Sequence, residues 1–215
     1  MYKLGVLLSG RGSNFLSILE NIQSGYIKNA EISVVISNKK DARGLRIAQE
    51  NNIDAFYIEY DNPNRASYDR KIAEKLKEYG VDFVILAGYM RILSEEFIKE
   101  FEGKIINIHP ALLPSFRGLH AQRQALEKGV KFSGATVHFV TNELDDGAII
   151  IQSVVPVFQN DTEDSLSKRI LATEHKIYSK AIKYLTDDRI KIKNNRVIID
   201  NVEEEDFFYI NPNDS

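Results

Sequence analysis

Leu4 to Leu8 is an unbroken apolar run that stops at Ser9-Gly10, after which Phe15, Leu16, Ile18, Leu19 and Ile22 recur at the spacing of one helix face. This reads as strand, turn, helix. The alternation repeats with Ile32 to Ile36 as a strand, Ala42 to Glu50 as a helix, Ala55 to Ile58 as a strand and Tyr68 to Tyr79 as a helix. Val81 to Ala87 and Lys104 to Ile108 then read as strands buried on both faces, because neither alternates apolar with polar before its last residues. Repeated β-α units of this kind predict an α/β fold built on a doubly wound, mostly parallel sheet flanked by helices.

After Pro110 the pattern loosens through Pro114 and Gly118 into a loop that feeds a helix over His120 to Lys128. Thr136 to Val140 and Ala148 to Val157 follow as strands around the turn-rich Asn142 to Gly147. The longest predicted helix is Glu163 to Leu185, where Leu166, Ile170, Ile177, Ala181, Ile182 and Leu185 line one face. Thr162 is placed to cap it, and Glu163 and Asp164 put negative charge at the positive end of the helix dipole. Ile190 to Lys193 and Arg196 to Ile199, joined by Asn194-Asn195, predict a closing hairpin with a two-residue turn. No internal repeat, low-complexity linker or interdomain boundary interrupts the pattern. One domain over residues 1–200 is expected, followed by an acidic, then polar tail at 201–215 that is expected to be poorly ordered at its end.

Composition narrows the function classes. At 215 residues, 43% hydrophobic and 27% charged, the chain can bury one sizeable core. A formal net charge of -3 supplies no global attraction for a phosphate backbone, so no nucleic-acid partner is expected. Zero cysteines removes thiol nucleophiles, disulfides and thiolate metal sites together. The apolar start runs straight into Gly10-Arg11-Gly12 with neither a charged leader nor a cleavage site, and no run approaches the roughly 18 apolar residues of a membrane span. A cytoplasmic protein with no membrane partner is expected.

Two segments and one further residue carry candidate chemistry. Ser9-Gly10-Arg11-Gly12-Ser13-Asn14 sits between the first strand and first helix, where unpaired backbone N–H groups and the dipole favour an anion such as phosphate. It is not the dinucleotide fingerprint, since Phe15 stands where the third glycine belongs, nor is it a P-loop. A tight turn with no ligand is the alternative. In Asn107-Ile108-His109-Pro110, alternation puts Asn107 and His109 on one face at the C-terminal end of a strand, where open α/β sheets place ligands. Structural use, with both side chains satisfied in the core, is the competing reading. Asp145, in a loop between two late strands, can reach the same sheet edge, against the alternative of a turn aspartate.

An amide, an imidazole and a carboxylate together make a coherent acyl-transfer site without a covalent intermediate. The carboxylate favours the imidazolium of His109, which with the Asn107 amide hydrogen-bonds the oxyanion formed when an amine attacks a carbonyl. Asp145 helps move the proton from attacking to leaving nitrogen. The remaining histidines, His120, His138 and His175, show no metal-ligand spacing, so no metal is expected.

These residues also carry a resemblance. Ser9-Gly-Arg-Gly-Ser-Asn14, Leu86-Ala-Gly-Tyr-Met-Arg-Ile-Leu93, Asn107-Ile-His-Pro-Ala-Leu-Leu-Pro114, Gly118-Leu-His120, Thr136-Val-His-Phe-Val140 and the Leu144-Asp145 turn resemble the phosphoribosylglycinamide formyltransferase family, the folate-dependent glycinamide ribonucleotide transformylases of purine synthesis. The resemblance spans about the first 185 residues. It implies a formyltransferase fold with a Rossmann-like N-terminal half, and transfer of a formyl group from the cosubstrate 10-formyltetrahydrofolate to the glycinamide amine of the ribonucleotide. It assigns catalysis to Asn107, His109 and Asp145. It implies ribonucleotide contacts at Gly12, Ser13, Asn14 and Glu174, and folate contacts at Arg65, Met90, Arg91, Ile92, Leu93, Asn107, Thr141, Asn142, Glu143, Leu144 and Asp145. Small-molecule substrates and a monomeric or homodimeric state are expected with it.

Some alternatives stay open at the level of sequence. Core packing is the bland reading of Met90 to Leu93, and a solvated surface charge that of Arg65. Ser115-Phe116-Arg117-Gly118 has arginine where many members have proline, a feature shared with methionyl-tRNA formyltransferase. That relative adds a C-terminal β-barrel, for which about 30 residues after Leu185 are too few. A formyltetrahydrofolate hydrolase would use the same trio with water as acceptor, usually behind an N-terminal regulatory domain. A non-catalytic nucleotide- or folate-binding module is the rival of a different class. Asp146 competes with Asp145 for the catalytic position, and Arg117 either touches substrate or caps a loop.

Overall fold

The computed structural model describes residues 1–60 and 64–201. The chain divides into two compact units, the first spanning residues 1–107 and the second beginning at Ile108. Among the described residues the first unit runs β1 (Tyr2–Leu8), α1 (Ser13–Gln23), β2 (Ala30–Ser37), α2 (Arg43–Glu50), β3 (Asp54–Tyr57), α3 (Arg65–Glu78), β4 (Phe83–Leu86) and α4 (Glu95–Glu100). β5 (Ile105–His109) carries the chain into the second unit. The elements there are α5 (Ala121–Lys128), β6 (Phe132–Phe139), β7 (Ile149–Pro156), α6 (Glu163–Thr186), β8 (Ile190–Lys193) and β9 (Arg196–Ile199).

Seven strands form one mostly parallel sheet in the order β3-β2-β1-β4-β5-β6-β7. β1 pairs in parallel with β2 on one side and β4 on the other, and β3 and β5 extend those two edges, also in parallel. The chain leaves β1 toward one side and later returns on the other, so β1 and β4 flank the switch point where ligands sit beyond the strand ends. β7 returns antiparallel to β6. Leu4, Val6, Leu7, Leu8, Val84, Ile85, Ile105 and Ile106 are all essentially inaccessible, as their unbroken apolar runs required.

α6 starts where its sequence marks it. The Thr162 hydroxyl accepts from the Ser165 N–H at 3.1 Å, while the Ser165 hydroxyl accepts from the Thr162 N–H at 2.9 Å. Its apolar face buries Leu166, Ile170, Ile177, Ala181 and Ile182 completely. β8 and β9 pair across Asn194-Asn195, both with positive φ, the backbone of a two-residue hairpin turn.

Among the described residues, the one element without a counterpart in the hydrophobic pattern is α4. It is only six residues long, too short to repeat a period, and rests on local chemistry: Ser94 caps it by accepting from the Phe97 N–H at 3.3 Å, with Glu95 and Glu96 in the first turn. β6 begins at Phe132, four residues ahead of the strand expected from the apolar run, because Ser133 and Gly134 are buried in it. The expected tail beyond Asn201 lies outside the described residues.

Candidate active site

His109 closes β5 and is 4% exposed. Its Nε2 lies 2.8 Å from the Phe116 carbonyl, an oxygen that only accepts, so Nε2 carries a proton. Its Nδ1 faces Asp145 Oδ2 at 3.5 Å. With acceptors on both sides, only the doubly protonated ring presents a proton to each.

Asp145 is fixed by its own backbone and by the loops around it. Its backbone takes a φ of 50°, unusual outside glycine, which turns the side chain inward. Oδ2 accepts the Gly118 N–H at 2.8 Å, and Oδ1 stands 3.7 Å from His138 Nε2. Behind it, a Cβ on Gly147 would come within 1.8 Å of the Phe139 carbonyl oxygen, so only glycine lets this loop press so closely on β6. The Asp145 carboxylate therefore sits between two imidazoles. His138 donates from Nδ1 to the Phe139 carbonyl at 2.9 Å. Burial holds its pKa below the ordinary histidine value, against the opposing pull of that carbonyl and of Asp145.

Asp146 turns the other way. It pairs with the guanidinium of Arg117, and both side chains are well exposed. Consecutive residues 117 and 118 thus hold consecutive aspartates, the guanidinium taking Asp146 and the Gly118 N–H taking Asp145. The loop after His109 is anchored through Thr136, whose hydroxyl donates to the Ala111 carbonyl at 2.7 Å and accepts from the Leu113 N–H at 3.1 Å.

Asn107 is half-buried on β5, two residues before His109 and on the same side of the strand by alternation. In the first unit, Gly12 occupies the N-cap of α1 at φ 74°, with no side-chain cap and no acidic residue in the first turn. A Cβ there would lie 2.7 Å from the Gly44 Cα, so the close approach and the left-handed backbone both require glycine. Ser13 and Asn14 open the helix, whose first N–H groups lack partners within it. Met90 and Ile92 are 66% and 60% exposed, whereas Leu93 is buried, so core packing accounts for only the last residue of that run. The Arg91 guanidinium lies 3.5 Å from the centre of the Tyr60 ring. Arg65 is exposed at the first position of α3. In the second unit Thr141, Asn142, Glu143 and Leu144 are exposed ahead of Asp145.

Two residues of the site, His138 and Glu174, are not singled out by spacing or periodicity. His138 carries no site role in the sequence, standing only within the Thr136 to Val140 motif and among the histidines without metal-ligand spacing, yet it faces the candidate carboxylate. Its signal was a histidine inside the apolar strand run Thr136 to Val140. Glu174, reached only through resemblance, is 8% exposed. It lies four residues after Ile170 and three before Ile177, so a carboxylate on the buried stripe of α6 was itself a signal. Among the described residues no group of three or more histidine or carboxylate side chains is arranged to hold a metal ion, and no helix is long and apolar enough to cross a membrane.

A family model described as formyl transferase matches residues 2–182. The phosphoribosylglycinamide formyltransferase of Escherichia coli (strain K12) is 43% identical over 196 residues, 91% of this chain and 92% of that protein. The crystal structure of glycinamide ribonucleotide transformylase 1 from Symbiobacterium toebii is similar at 48% identity and a TM-score of 0.90, covering 93% of this chain and 94% of that one. A formyltetrahydrofolate deformylase from Pseudomonas syringae pv. tomato is more distant at 28% identity and a TM-score of 0.86. The match covers 92% of this chain but 65% of that one.

Proposed function

The chain belongs to the formyl transferase family, and from that premise we propose that it transfers the formyl group of 10-formyltetrahydrofolate to the glycinamide amine of the phosphoribosyl ribonucleotide, as an enzyme of purine synthesis. The observation that carries the reading is the buried pairing of His109 with Asp145, at 3.5 Å. The neutral amine attacks the formyl carbon, the carbonyl π electrons move to oxygen, and a tetrahedral oxyanion forms. The His109 imidazolium, its Nε2–H exchanging the Phe116 carbonyl for the substrate while Nδ1–H keeps Asp145, and the Asn107 amide, on one face of β5, donate to that oxygen. Asp145 takes the proton that the attacking nitrogen sheds and returns it, directly or through one water, to the departing folate nitrogen as the carbonyl re-forms. The lone pair of His138 Nε2 opposite Asp145 Oδ1 favours a proton arriving there.

In this reading the turn at Gly12, Ser13 and Asn14 takes the ribonucleotide phosphate on backbone N–H groups, and the buried Glu174 meets its polar part. The exposed apolar Met90 and Ile92, with Arg91 and Leu93, form a wall for the pterin ring, Thr141 to Asp145 contribute a second segment, and Arg65 pairs with a folate carboxylate. The chemistry needs no metal. We place it in the cytoplasm, with small molecules as the only substrates and a monomer or homodimer as the working unit.

The test is incubation with 10-formyltetrahydrofolate in the presence and absence of glycinamide ribonucleotide, following both folate and ribonucleotide products. Acceptor-dependent formation of both supports the transferase. Folate release without acceptor points to a hydrolase, and binding without turnover to a binding module.

A further inference from the structure

Ser9 lies at the switch point of the sheet, immediately after β1 and immediately before the glycine turn. Its N–H and its hydroxyl make three hydrogen bonds, all to residues beyond the strand. The N–H donates to the Gly88 carbonyl at 3.1 Å, and the hydroxyl oxygen accepts the Met90 N–H at 2.8 Å. The hydroxyl proton goes to Asn38 Oδ1 at 2.7 Å, in the segment that follows β2. One side chain thus ties together the segments leaving β1, β2 and β4, three adjacent strands of the first unit. Asn38 is 9% exposed, so little water is available to replace the bond it would lose.

The two segments joined in this way have different tasks in the function proposed above. One is the turn for the ribonucleotide phosphate, starting at the next residue, Gly10. The other is Met90 to Leu93, the wall for the pterin, which begins at the residue whose N–H Ser9 accepts. Neither ligand needs to touch the Ser9 hydroxyl, since both of its bonds are spent inside the protein. We infer that Ser9 is a positioning residue that couples the two substrate subsites: a phosphate ordering the Gly10 to Asn14 turn fixes Ser9, and through the Met90 N–H fixes the pterin wall. Occupancy of one subsite then strengthens the other, and by linkage the effect is reciprocal.

The experiment uses a pair of ligands that cannot react, glycinamide ribonucleotide and tetrahydrofolate. Titration calorimetry measures tetrahydrofolate binding to the native protein, alone and saturated with the ribonucleotide, and then to the Ser9→Ala, Ser9→Thr and Asn38→Ala variants. The expected result is tightening by the ribonucleotide of about fivefold or more in the native protein, within the usual range for coupled sites. Ser9→Thr, which keeps the hydroxyl, retains it. Ser9→Ala reduces it to about twofold or less on that scale, and Asn38→Ala, which removes one of the two bonds, gives an intermediate value. A merely structural role would weaken each ligand separately and leave this ratio unchanged. Equal ratios in native protein and Ser9→Ala, or no coupling in native protein that binds both ligands, overturns the inference and leaves the function standing. Failure of the native protein to bind either ligand overturns the functional reading itself. Thermal melts identify any variant that fails to fold, and Asn38→Ala then decides the matter.

Discussion

Asp145 and Asp146 are neighbours in the chain that turn to opposite surroundings: Asp145 lies nearly buried between His109 and His138, while Asp146 pairs in the open with Arg117. The two side chains are chemically identical, so their surroundings alone assign the chemistry. Asp145→Asn is expected to lower kcat by about 10²- to 10⁴-fold, the span of a lost acid–base group, with ribonucleotide KM little changed. Asp146→Asn breaks an exposed ion pair worth at most about 1 kcal/mol and should cost no more than roughly fivefold in rate. Steady-state kinetics of both variants checks this, and comparable severe losses in the two would contradict it.

His138 gives the fold a pH signature. Burial lowers its pKa in the native protein, so on acidification the unfolded chain takes up this proton first. The contribution is therefore absent well above the ordinary histidine pKa of about 6.5, and becomes a growing loss of stability as the pH falls through and below it. Urea unfolding of native protein and His138→Gln at pH 8 and pH 5.5 measures it. The native protein should lose more stability than the variant between those two values, and equal losses would refute the burial argument.

Asp161 has the opposite sign. The Arg169 guanidinium takes both of its oxygens, at 2.8 and 2.9 Å, and the Phe158 N–H and Ser165 hydroxyl add to the set. The guanidinium holds this carboxyl well below the usual carboxylate range. The stabilisation is complete above the unfolded value of about 4 and is lost as the pH drops below it. Asp161→Asn should cost about 2 kcal/mol at pH 7, the scale of a charged hydrogen bond, and the gap from native should narrow at pH 2.5. A gap that stays constant with pH would exclude the ionised pair as its source.

Gly12 tests the phosphate turn. An alanine there meets the Gly44 backbone and must hold φ at 74°, a left-handed conformation costing about 1–2 kcal/mol. Gly12→Ala should lose at least that much stability and raise the ribonucleotide KM more than the folate KM. Equal effects on the two would detach the turn from the ribonucleotide.

The legible parts of the molecule were those in which one physical signal repeats. The apolar runs of β1, β2 and β4 and the long stripe of α6 gave strands, helix and the parallel sheet, and Thr162 marked the start of α6. What periodicity missed was non-periodic or inward-facing. α4 is too short to repeat, and is held by the Ser94 cap and by Asp69 of α3, 25 residues earlier in the chain, whose carboxylate accepts the Ser94 N–H at 2.5 Å. Burial raises the pKa of Asp69, a cost no local pattern displays. The candidate site was readable as residue types, Asn107, His109 and Asp145. Its orientation was not, because the Phe116 carbonyl, the Gly118 N–H and the 50° φ of Asp145 are backbone facts of loops.

The most direct test of the account is a single-turnover experiment with 10-formyltetrahydrofolate labelled at the formyl carbon, enzyme in excess, in native protein and Asp145→Asn. The label is expected to pass to glycinamide ribonucleotide with none on the protein and none released as formate, and the transfer to slow at least about 100-fold in the variant while both ligands still bind. Label appearing as formate without acceptor, or on the protein, or moving at the native rate in Asp145→Asn, would contradict it.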